Sequence, residues 1–174
     1  MLGSTVCNEK TWEQFKQAFE VMGQFAGPDD MYLALRGLRT MSVRLERHMR
    51  NATAVAEWLR GRSEVESVMY PALSNDPGHQ IWKRDFTGAS GLFSVVLKPT
   101  SDQSVAAMLD GLSLFGMGFS WGGFESLVVP FKPVRTATTW TAPGPCLRLH
   151  IGLESPDDLI VDLKQGFERL KKSS

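Results

Sequence analysis

The first third of the chain carries the spacing of amphipathic helices. In TWEQFKQAFEVMG, apolar side chains recur on one helical face, and Thr11 is the predicted N-cap, with Gln14 three residues later. The preceding segment, residues 1–7, is short and partly β-branched and predicts a strand, although no partner strand follows at hairpin distance. The apolar face of the helix consists of Trp12, Phe15 and Phe19.

A longer helical pattern begins at Asp30 and runs to Gly61. Its positions fall at alternating steps of three and four and form a continuous stripe. An unbroken helix over this range would be about 45 Å long, which is more than a small domain requires. We therefore predict that this helix bridges two bodies. The stripe consists of Leu38, Met41, Leu45, His48, Ala52, Val55 and Leu59.

Beyond Gly61, short apolar runs alternate with turn formers. Strands are predicted at VESVMY, GLFSVVL, SLFGM, SLVVPF and LRLHI, with a loop at PALSNDPGHQ. A helix follows Ser101, its predicted N-cap, and the last helix follows Ser155, with Pro156 at its first position and Asp158 completing a capping box. The apolar face of that last helix consists of Leu159, Ile160, Leu163, Phe167 and Leu170.

These elements predict an α+β fold with two layers. Three or four short, mostly antiparallel strands would form one layer, and helices would cover one of its faces.

Charge and composition narrow the function classes. Nineteen basic and nineteen acidic residues cancel, so no net field attracts nucleic acid or an anionic membrane. No apolar run has membrane-spanning length and no signal pattern is present, so we expect a cytoplasmic protein. Cys7 and Cys146 are too few and too far apart for a disulfide framework, and His48, His79 and His150 lack the spacing of metal ligands.

A lone arginine stands in the strand LRLHI. Alternation places Arg148 and His150 on one face of the strand, which should be open to solvent or to an anion. Arg148 could pair with a neighbouring acid at a sheet edge, or its planar guanidinium could bind a ligand carboxylate at two points. The opposite face consists of Leu147, Leu149 and Ile151.

The segment FSWGG places Ser120 and Trp121 directly before two glycines. One interpretation is a tight turn whose glycines supply positive φ and beside which Trp121 is buried. The other is a ligand site, in which the glycines let a ligand approach the backbone and Trp121 forms a wall. The sequence leaves both open, and no G-x-S-x-G elbow or other nucleophile–base pair stands out.

Long stretches of the chain resemble the C-terminal part of the Cys/Met-metabolism family of pyridoxal-phosphate enzymes, which have the aspartate-aminotransferase-type fold. The resemblance runs from end to end and is carried by YLALRGLRTMSVRLERHMRNATAVAEWL, GHQIWKRDFTGASGLFSVVLK, FSWGGFESL and LRLHIGLESPDDLIVDLKQGFERL. It implies that residues 1–38 are a remnant of the large domain with the start of the bridging helix, and that residues 39–174 are the small C-terminal domain.

The resemblance also implies roles for four residues. Arg148 would bind the substrate α-carboxylate, and Ser120 with the backbone of Trp121 would help to seat it. Phe119 would line the substrate pocket at a position where tyrosine is common in the family. The lysine that binds the cofactor lies in an S-x-T-K-type segment in the family, and no lysine here has that context. No catalytic, cofactor-binding or metal-binding residue is therefore expected in this chain, which should bind no pyridoxal phosphate and be inactive alone.

The sequence FSWGG, where γ-acting members tend to carry ESLGG, is typical of the bacterial β-lyase branch. The implied reaction of the parent enzyme is α,β-elimination of cystathionine to homocysteine, pyruvate and ammonia in methionine biosynthesis. Alternatives are another carbon–sulfur enzyme of the family, such as a cysteine desulfhydrase or a γ-lyase, or a folded module without catalysis. The family implies a homo-oligomer, a tetramer in the parent, and residues 1–28 are expected to contact a second copy or the rest of the parent.

Overall fold

The computed structural model describes residues 2–173, which divide into two compact units between Ser42 and Val43. The first unit contains helices α1 (Glu9–Met22) and α2 (Pro28–Arg39). Helix α3 (Met41–Arg60) begins in the last two residues of the first unit and otherwise belongs to the second. After α3, the second unit contains, in chain order, β1 (Val65–Met69), α4 (His79–Asp85), β2 (Leu92–Leu97), α5 (Asp102–Asp110), β3 (Gly116–Met117), β4 (Leu127–Phe131), β5 (Cys146–His150) and α6 (Pro156–Lys172). The implied domain boundary between residues 38 and 39 falls in the last turn of α2 and stays a proposal.

The N-cap of helix α1 is Asn8, three residues earlier than the predicted Thr11. The side chain of Asn8 accepts the backbone N–H of Thr11 at 3.2 Å, and the hydroxyl of Thr11 donates back to Asn8. The prediction of Thr11 as N-cap is therefore wrong. Asn8 caps at least as well as threonine, and it places Glu9 in the first turn, where a negative charge is favourable.

The strand predicted at residues 1–7 is not present over residues 2–7, which are irregular; residue 1 lies outside the described residues. A strand is stable only when a neighbour satisfies its backbone groups. Within the first unit, the part of the chain that is described holds helices and no partner strand.

The long helical pattern from Asp30 to Gly61 is interrupted at Thr40, so it forms two helices rather than one. The backbone N–H of Thr40 donates to the carbonyls of Gly37 and Leu38, and its hydroxyl donates to Gly37 at 3.3 Å. These short-range bonds replace the regular helical ones, as expected for a threonine that bonds to the preceding turn. Only the later part of the predicted stripe is buried, at His48, Ala52, Val55 and Leu59.

The second unit is built on a mixed sheet with strand order β1-β2-β5-β4-β3. All pairings are antiparallel except that of β3 with β4. The predicted α+β fold is confirmed, with five strands because the two-residue β3 adds one at the edge. In the middle of the sheet, Arg148 of β5 lies opposite Ser94 of β2 on one side and Val129 of β4 on the other.

Helices cover one face of this sheet. Phe93, Val95, Leu147, Leu149 and Val128 belong to the same apolar cluster as buried residues of α3, α5 and α6. On α6 the predicted apolar face is buried, at Leu159, Leu163, Phe167 and Leu170, with Ile160 partly buried against it.

The two helix caps predicted in the second unit differ in outcome. The hydroxyl of Ser101 accepts the backbone N–H of Ser104 at 3.1 Å, which confirms the cap of α5. Ser155 occupies the N-cap of α6 but its side chain makes no capping hydrogen bond, so the predicted capping box does not form. Pro156 has no N–H to satisfy, which reduces the need for a cap there.

Helix α4 begins within the stretch predicted as a loop. Hydrogen bonds of Asp76 account for the start of this helix. Its carboxylate accepts the backbone N–H groups of Tyr70 at 2.9 Å and of Gly78 at 2.7 Å, and its carbonyl accepts that of His79 at 3.0 Å. These bonds fold the turn formers so that a short helix starts at His79. No described helix is long and apolar enough to cross a lipid bilayer.

Glu64, directly before β1, joins the start of the sheet to the end of α6. Its carboxylate accepts hydrogen bonds from Arg62 at 2.8 Å, Lys171 at 2.9 Å and Ser63 at 3.0 Å. Burial alone would raise the pKa of Glu64, but these donors outweigh it and lower the pKa from 4.5 to about 2. The lowered pKa means that the charged form stabilises the fold.

Glu64→Gln should lower the free energy of unfolding by about 2–3 kcal/mol at neutral pH. Because the pKa is lowered in the folded state, this contribution is complete above pH 4.5 and is lost as the pH falls toward 2. Urea unfolding at several pH values measures it. The control is Glu57→Gln, which removes an exposed pair with Arg60 and should change stability by less than about 0.5 kcal/mol. A constant difference between wild type and Glu64→Gln at all pH values would contradict the prediction.

Candidate functional site

Arg148 is a half-buried arginine on the sheet face opposite the helices, in the central strand β5. Its Nη2 donates to the carbonyl of Phe119 at 2.7 Å, and its guanidinium carbon lies 5.9 Å from the centre of the Phe119 ring. Among residues 2–173, no acidic side chain forms an ion pair with it. The interpretation that Arg148 pairs with an acid at a sheet edge is therefore wrong, and its positive charge is not compensated by a described carboxylate.

The segment from Gly118 to Glu125, hereafter the site loop, precedes β4 and presents three exposed aromatic side chains. Phe119 is 76% exposed, Trp121 61% and Phe124 68%, and Ser120 is also exposed. The interpretation of a turn with a buried tryptophan is therefore wrong. Gly122 has a φ of +85°, a backbone conformation that disfavours a side chain, so one of the two glycines is required by the turn itself.

His150 is buried, although the strand pattern predicted that it would be open like Arg148; its side chain is 2% exposed because the site loop covers it. Its Nε2 lies 3.1 Å from the carbonyl oxygen of Gly123 and 3.1 Å from the backbone N–H nitrogen of Gly122, whose distance to Nδ1 is 3.4 Å. Burial lowers the pKa of His150, and the electrostatic influence of His48 and Arg148 acts in the same direction, whereas the carbonyl of Gly123 and the carboxylate of Glu154 act to raise it.

Helix α3 supports the end of β5 through two buried polar side chains. Nδ1 of His48 donates to the carbonyl of Ile151 at 2.8 Å. Asn51 donates to the carbonyls of Gly152 at 3.1 Å and Glu154 at 2.9 Å. The chain that leaves β5 is therefore held in a defined path.

The end of the site loop is bonded to that same path. The carboxylate of Glu154 accepts both the backbone N–H and the hydroxyl of Ser126 at 2.8 Å, and the hydroxyl of Ser126 accepts the N–H of Gly152 at 2.9 Å. A side chain at Gly152 would collide with the carbonyl of Phe124, so this close approach requires glycine. No sequence pattern indicates that His48, Asn51 and Glu154 support the site, because their backbone partners lie more than twenty residues away along the chain.

None of the described lysines lies in an environment that is shielded from solvent. All eight lysines, at positions 10, 16, 83, 98, 132, 164, 171 and 172, are exposed. A lysine that binds this cofactor needs a shielded environment that lowers its pKa. Within residues 2–173 no cluster of three or more His, Cys, Asp or Glu side chains is arranged to hold a metal ion.

Comparison with known proteins gives a consistent assignment. Residues 1–168 match the family described as Cys/Met metabolism PLP-dependent enzyme. The chain is 47% identical over 98% of its length to the cystathionine beta-lyase MetC of Escherichia coli and 48% identical over 96% to a putative cystathionine beta-lyase of Rhizobium johnstonii. The structure of cystathionine gamma synthase from Xanthomonas oryzae in complex with cystathionine aligns with a TM-score of 0.83 at 33% identity over 96% of this chain.

The match covers only part of each relative. The chain spans 45% of the Escherichia coli protein, 43% of the Rhizobium johnstonii protein and 45% of the Xanthomonas oryzae chain.

Gly122→Ala should destabilise the second unit by about 1–2 kcal/mol, because an alanine is strained at positive φ while nothing crowds its side chain. Gly123→Ala is the matched control, since Gly123 also has open space around it but no positive φ, and it should change stability by less than about 0.5 kcal/mol. Chemical denaturation of both variants measures the difference. Equal stability of the two would show that the turn at Gly122 is not held in the left-handed conformation.

Proposed function

The chain belongs to the Cys/Met metabolism family of PLP-dependent enzymes, and from this premise we propose that it is the C-terminal, substrate-binding part of a carbon–sulfur lyase. The proposed reaction of the whole enzyme is α,β-elimination of cystathionine, which with water gives homocysteine, pyruvate and ammonia. The proposal places the enzyme in the cytoplasm as a homo-oligomer that serves methionine biosynthesis. The observation that carries it is Arg148, a half-buried guanidinium without an acidic partner beside the site loop.

Arg148 suits an α-carboxylate for reasons of charge and shape. A guanidinium presents parallel N–H groups that match the two oxygens of a carboxylate, and such charge-assisted bonds are about twice as strong as neutral ones. Arg148 uses one of its N–H groups on the carbonyl of Phe119 and makes no other described hydrogen bond. The remaining donors are available to an anionic ligand, and a central strand keeps them in a fixed place.

The site loop supplies the neighbours that an amino-acid substrate needs. The hydroxyl of Ser120 and the backbone of Trp121 would seat the carboxylate, while Phe119 and Trp121 would form apolar walls. Phe119 offers no hydroxyl, so in the proposal it shapes the pocket by packing alone. Its ring beside the guanidinium favours a cation there.

Pyridoxal phosphate acts as an electron sink in enzymes of this family. Because every described lysine is exposed, the proposal assigns the cofactor site to the rest of the parent enzyme. The role of this chain is to bind the substrate carboxylate, to orient the amino acid and to shape the pocket.

A γ-acting enzyme of the same family is the second candidate, because a γ-synthase structure aligns along nearly the whole chain. The products distinguish the two. β-Elimination of cystathionine releases homocysteine and pyruvate, whereas γ-elimination releases cysteine and 2-oxobutyrate.

The purified chain should form no pyruvate from cystathionine, because every described lysine is exposed. A chimera in which this chain replaces the matching C-terminal segment of the Escherichia coli relative should form pyruvate and homocysteine and show the absorbance of bound cofactor. Pyruvate from the chain alone above a heat-killed control would contradict the first part. Release of 2-oxobutyrate by the chimera would favour the γ-acting candidate.

Arg148→Ala in that chimera should lower kcat/KM by an amount equivalent to about 2–5 kcal/mol, because the substrate carboxylate loses its partner. Arg148→Lys should recover only part of this, since an ammonium cannot bind two oxygens side by side. Cofactor absorbance should persist in both variants. The control is Arg135→Ala, which removes an exposed arginine that stacks on Trp140, and it should leave kcat/KM unchanged. Loss of cofactor from Arg148→Ala would show instead that Arg148 is structural.

A further inference from the structure

We infer that His150 is a positioning residue whose neutral ring holds Gly122 and Gly123 and so fixes the site loop beside Arg148. The inference deepens the proposed function, on which its catalytic meaning rests. Arg148 and His150 project from the same face of β5, and each bonds to a different part of the loop. Arg148 binds the carbonyl of Phe119, and His150 contacts the backbone of Gly122 and Gly123. Ser120 and Trp121 lie between these two attachments.

The chemistry of the contacts fixes the protonation state of the ring. The carbonyl of Gly123 can only accept a hydrogen bond, so Nε2 at 3.1 Å must carry a proton. The N–H of Gly122 can only donate, and its nitrogen lies 3.1 Å from Nε2 and 3.4 Å from Nδ1. Because Nε2 uses its proton on Gly123, Nδ1 is the ring nitrogen left to accept. A neutral ring with its proton on Nε2 satisfies both backbone groups. A doubly protonated ring has no acceptor and leaves the Gly122 N–H facing another N–H.

The surroundings of His150 favour the neutral ring. The titratable groups that face it are His48 from α3, Arg148 from its own strand and Glu154 from the segment that follows. The rings of His48 and His150 lie 5.1 Å apart, and Nε2 of His48 is buried without a hydrogen-bond partner among the described residues. A positive charge on His150 would therefore be desolvated near a second imidazole and a permanent cation.

Gly91 leaves room for the ring. A side chain at Gly91 would lie 3.2 Å from Nδ1 and Cε1 of His150 and would collide with the carbonyl of Ile151. The site of His150 is therefore shaped from the neighbouring strand segment as well as from the loop.

The contact of His150 becomes more important when Arg148 binds a carboxylate. A carboxylate bound to the remaining donors of Arg148 shares the guanidinium with the carbonyl of Phe119. The loop would then depend more on His150 to stay in place while Ser120 meets the ligand. Arg148 is thus shared between the loop and the substrate, whereas His150 bonds only to the backbone of the loop.

NMR of the full chain tests the inference without any need for catalysis. We expect ¹⁵N shifts of His150 that show the proton on Nε2, and a Gly122 amide shift that titrates with the ring at a midpoint below 6.5, since burial lowers the pKa of His150. In His150→Gln, whose amide still donates and accepts, the Gly122 shift should not titrate. Above pH 6.5 the ring is neutral and the contact is present; it is lost as the pH falls through the lowered pKa.

Hydrogen exchange supplies the second measurement. In His150→Leu, the amide of Gly122 should exchange roughly tenfold faster, which corresponds to the loss of one to two hydrogen bonds. His150→Gln should restore exchange to within about threefold of wild type. The control His79→Gln alters a histidine that bonds to the carbonyl of Pro71, away from the loop, and should leave Gly122 unchanged. Unchanged exchange at Gly122 in a folded His150→Leu variant, or a proton on Nδ1 in wild type, would overturn the inference.

The chimera adds the functional measurement. His150→Leu should raise KM for cystathionine and His150→Gln should recover it, because the loop rather than the chemistry is disturbed. In addition, the acid limb of kcat/KM should move in His150→Gln, which cannot be protonated in this range. If the chimera is inactive, the proposed function fails while the NMR results still decide the contact. If the contact is present but KM and the pH profile are the same in all variants, His150 does not position the site.

Discussion

The site depends on the pairing of β5 with a strand on each side. Because β2 and β4 both bond to β5, its backbone is fixed, and its alternating side chains are divided between two environments. Leu147 and Leu149 face the helices and belong to the core. Arg148 and His150 face the site loop on the other side of the sheet. Arg148 carries a charge that no described acidic side chain compensates, and its described hydrogen bond is to the carbonyl of Phe119.

The two polar residues of β5 meet opposite electrostatic demands on the same face. Arginine stays charged under all ordinary conditions, so Arg148 must keep access to solvent or to an anion, and it is half-buried beside an exposed loop. Histidine can lose its charge, so His150 can be buried as a neutral ring with one donor and one acceptor. Arg148 is therefore suited to bind a ligand, whereas His150, two residues later in the strand, binds the backbone of the loop.

Local pattern was sufficient for the elements that depend on neighbours in sequence. Alternation in LRLHI placed Leu147 and Leu149 in the core, and the hydroxyl of Ser101 caps α5 as predicted. Local pattern was not sufficient where the structure depends on contacts with backbone groups that lie far away in the sequence. His150 lies on the predicted face, but it is buried by a loop from 27 residues earlier in the chain. Likewise, α4 starts at His79 because the carboxylate and carbonyl of Asp76 organise the preceding turn, and composition alone indicates only a loop.

The first unit shows the limit of pattern in a different way. Its helices α1 and α2 have no buried residues, and large apolar side chains such as Val21, Leu33 and Leu38 are exposed. A unit of two short helices has little interior in which to bury apolar side chains, so these faces stay exposed within the unit. The amphipathic spacing of α1 was predicted correctly. However, this spacing indicates only that one face of the helix requires an apolar packing partner. The spacing of one helix does not identify its packing partner, because any apolar surface can pack against the same apolar face. The second unit differs because its five strands and three longest helices supply both layers of a core, so there the spacing and the partner are found in the same chain.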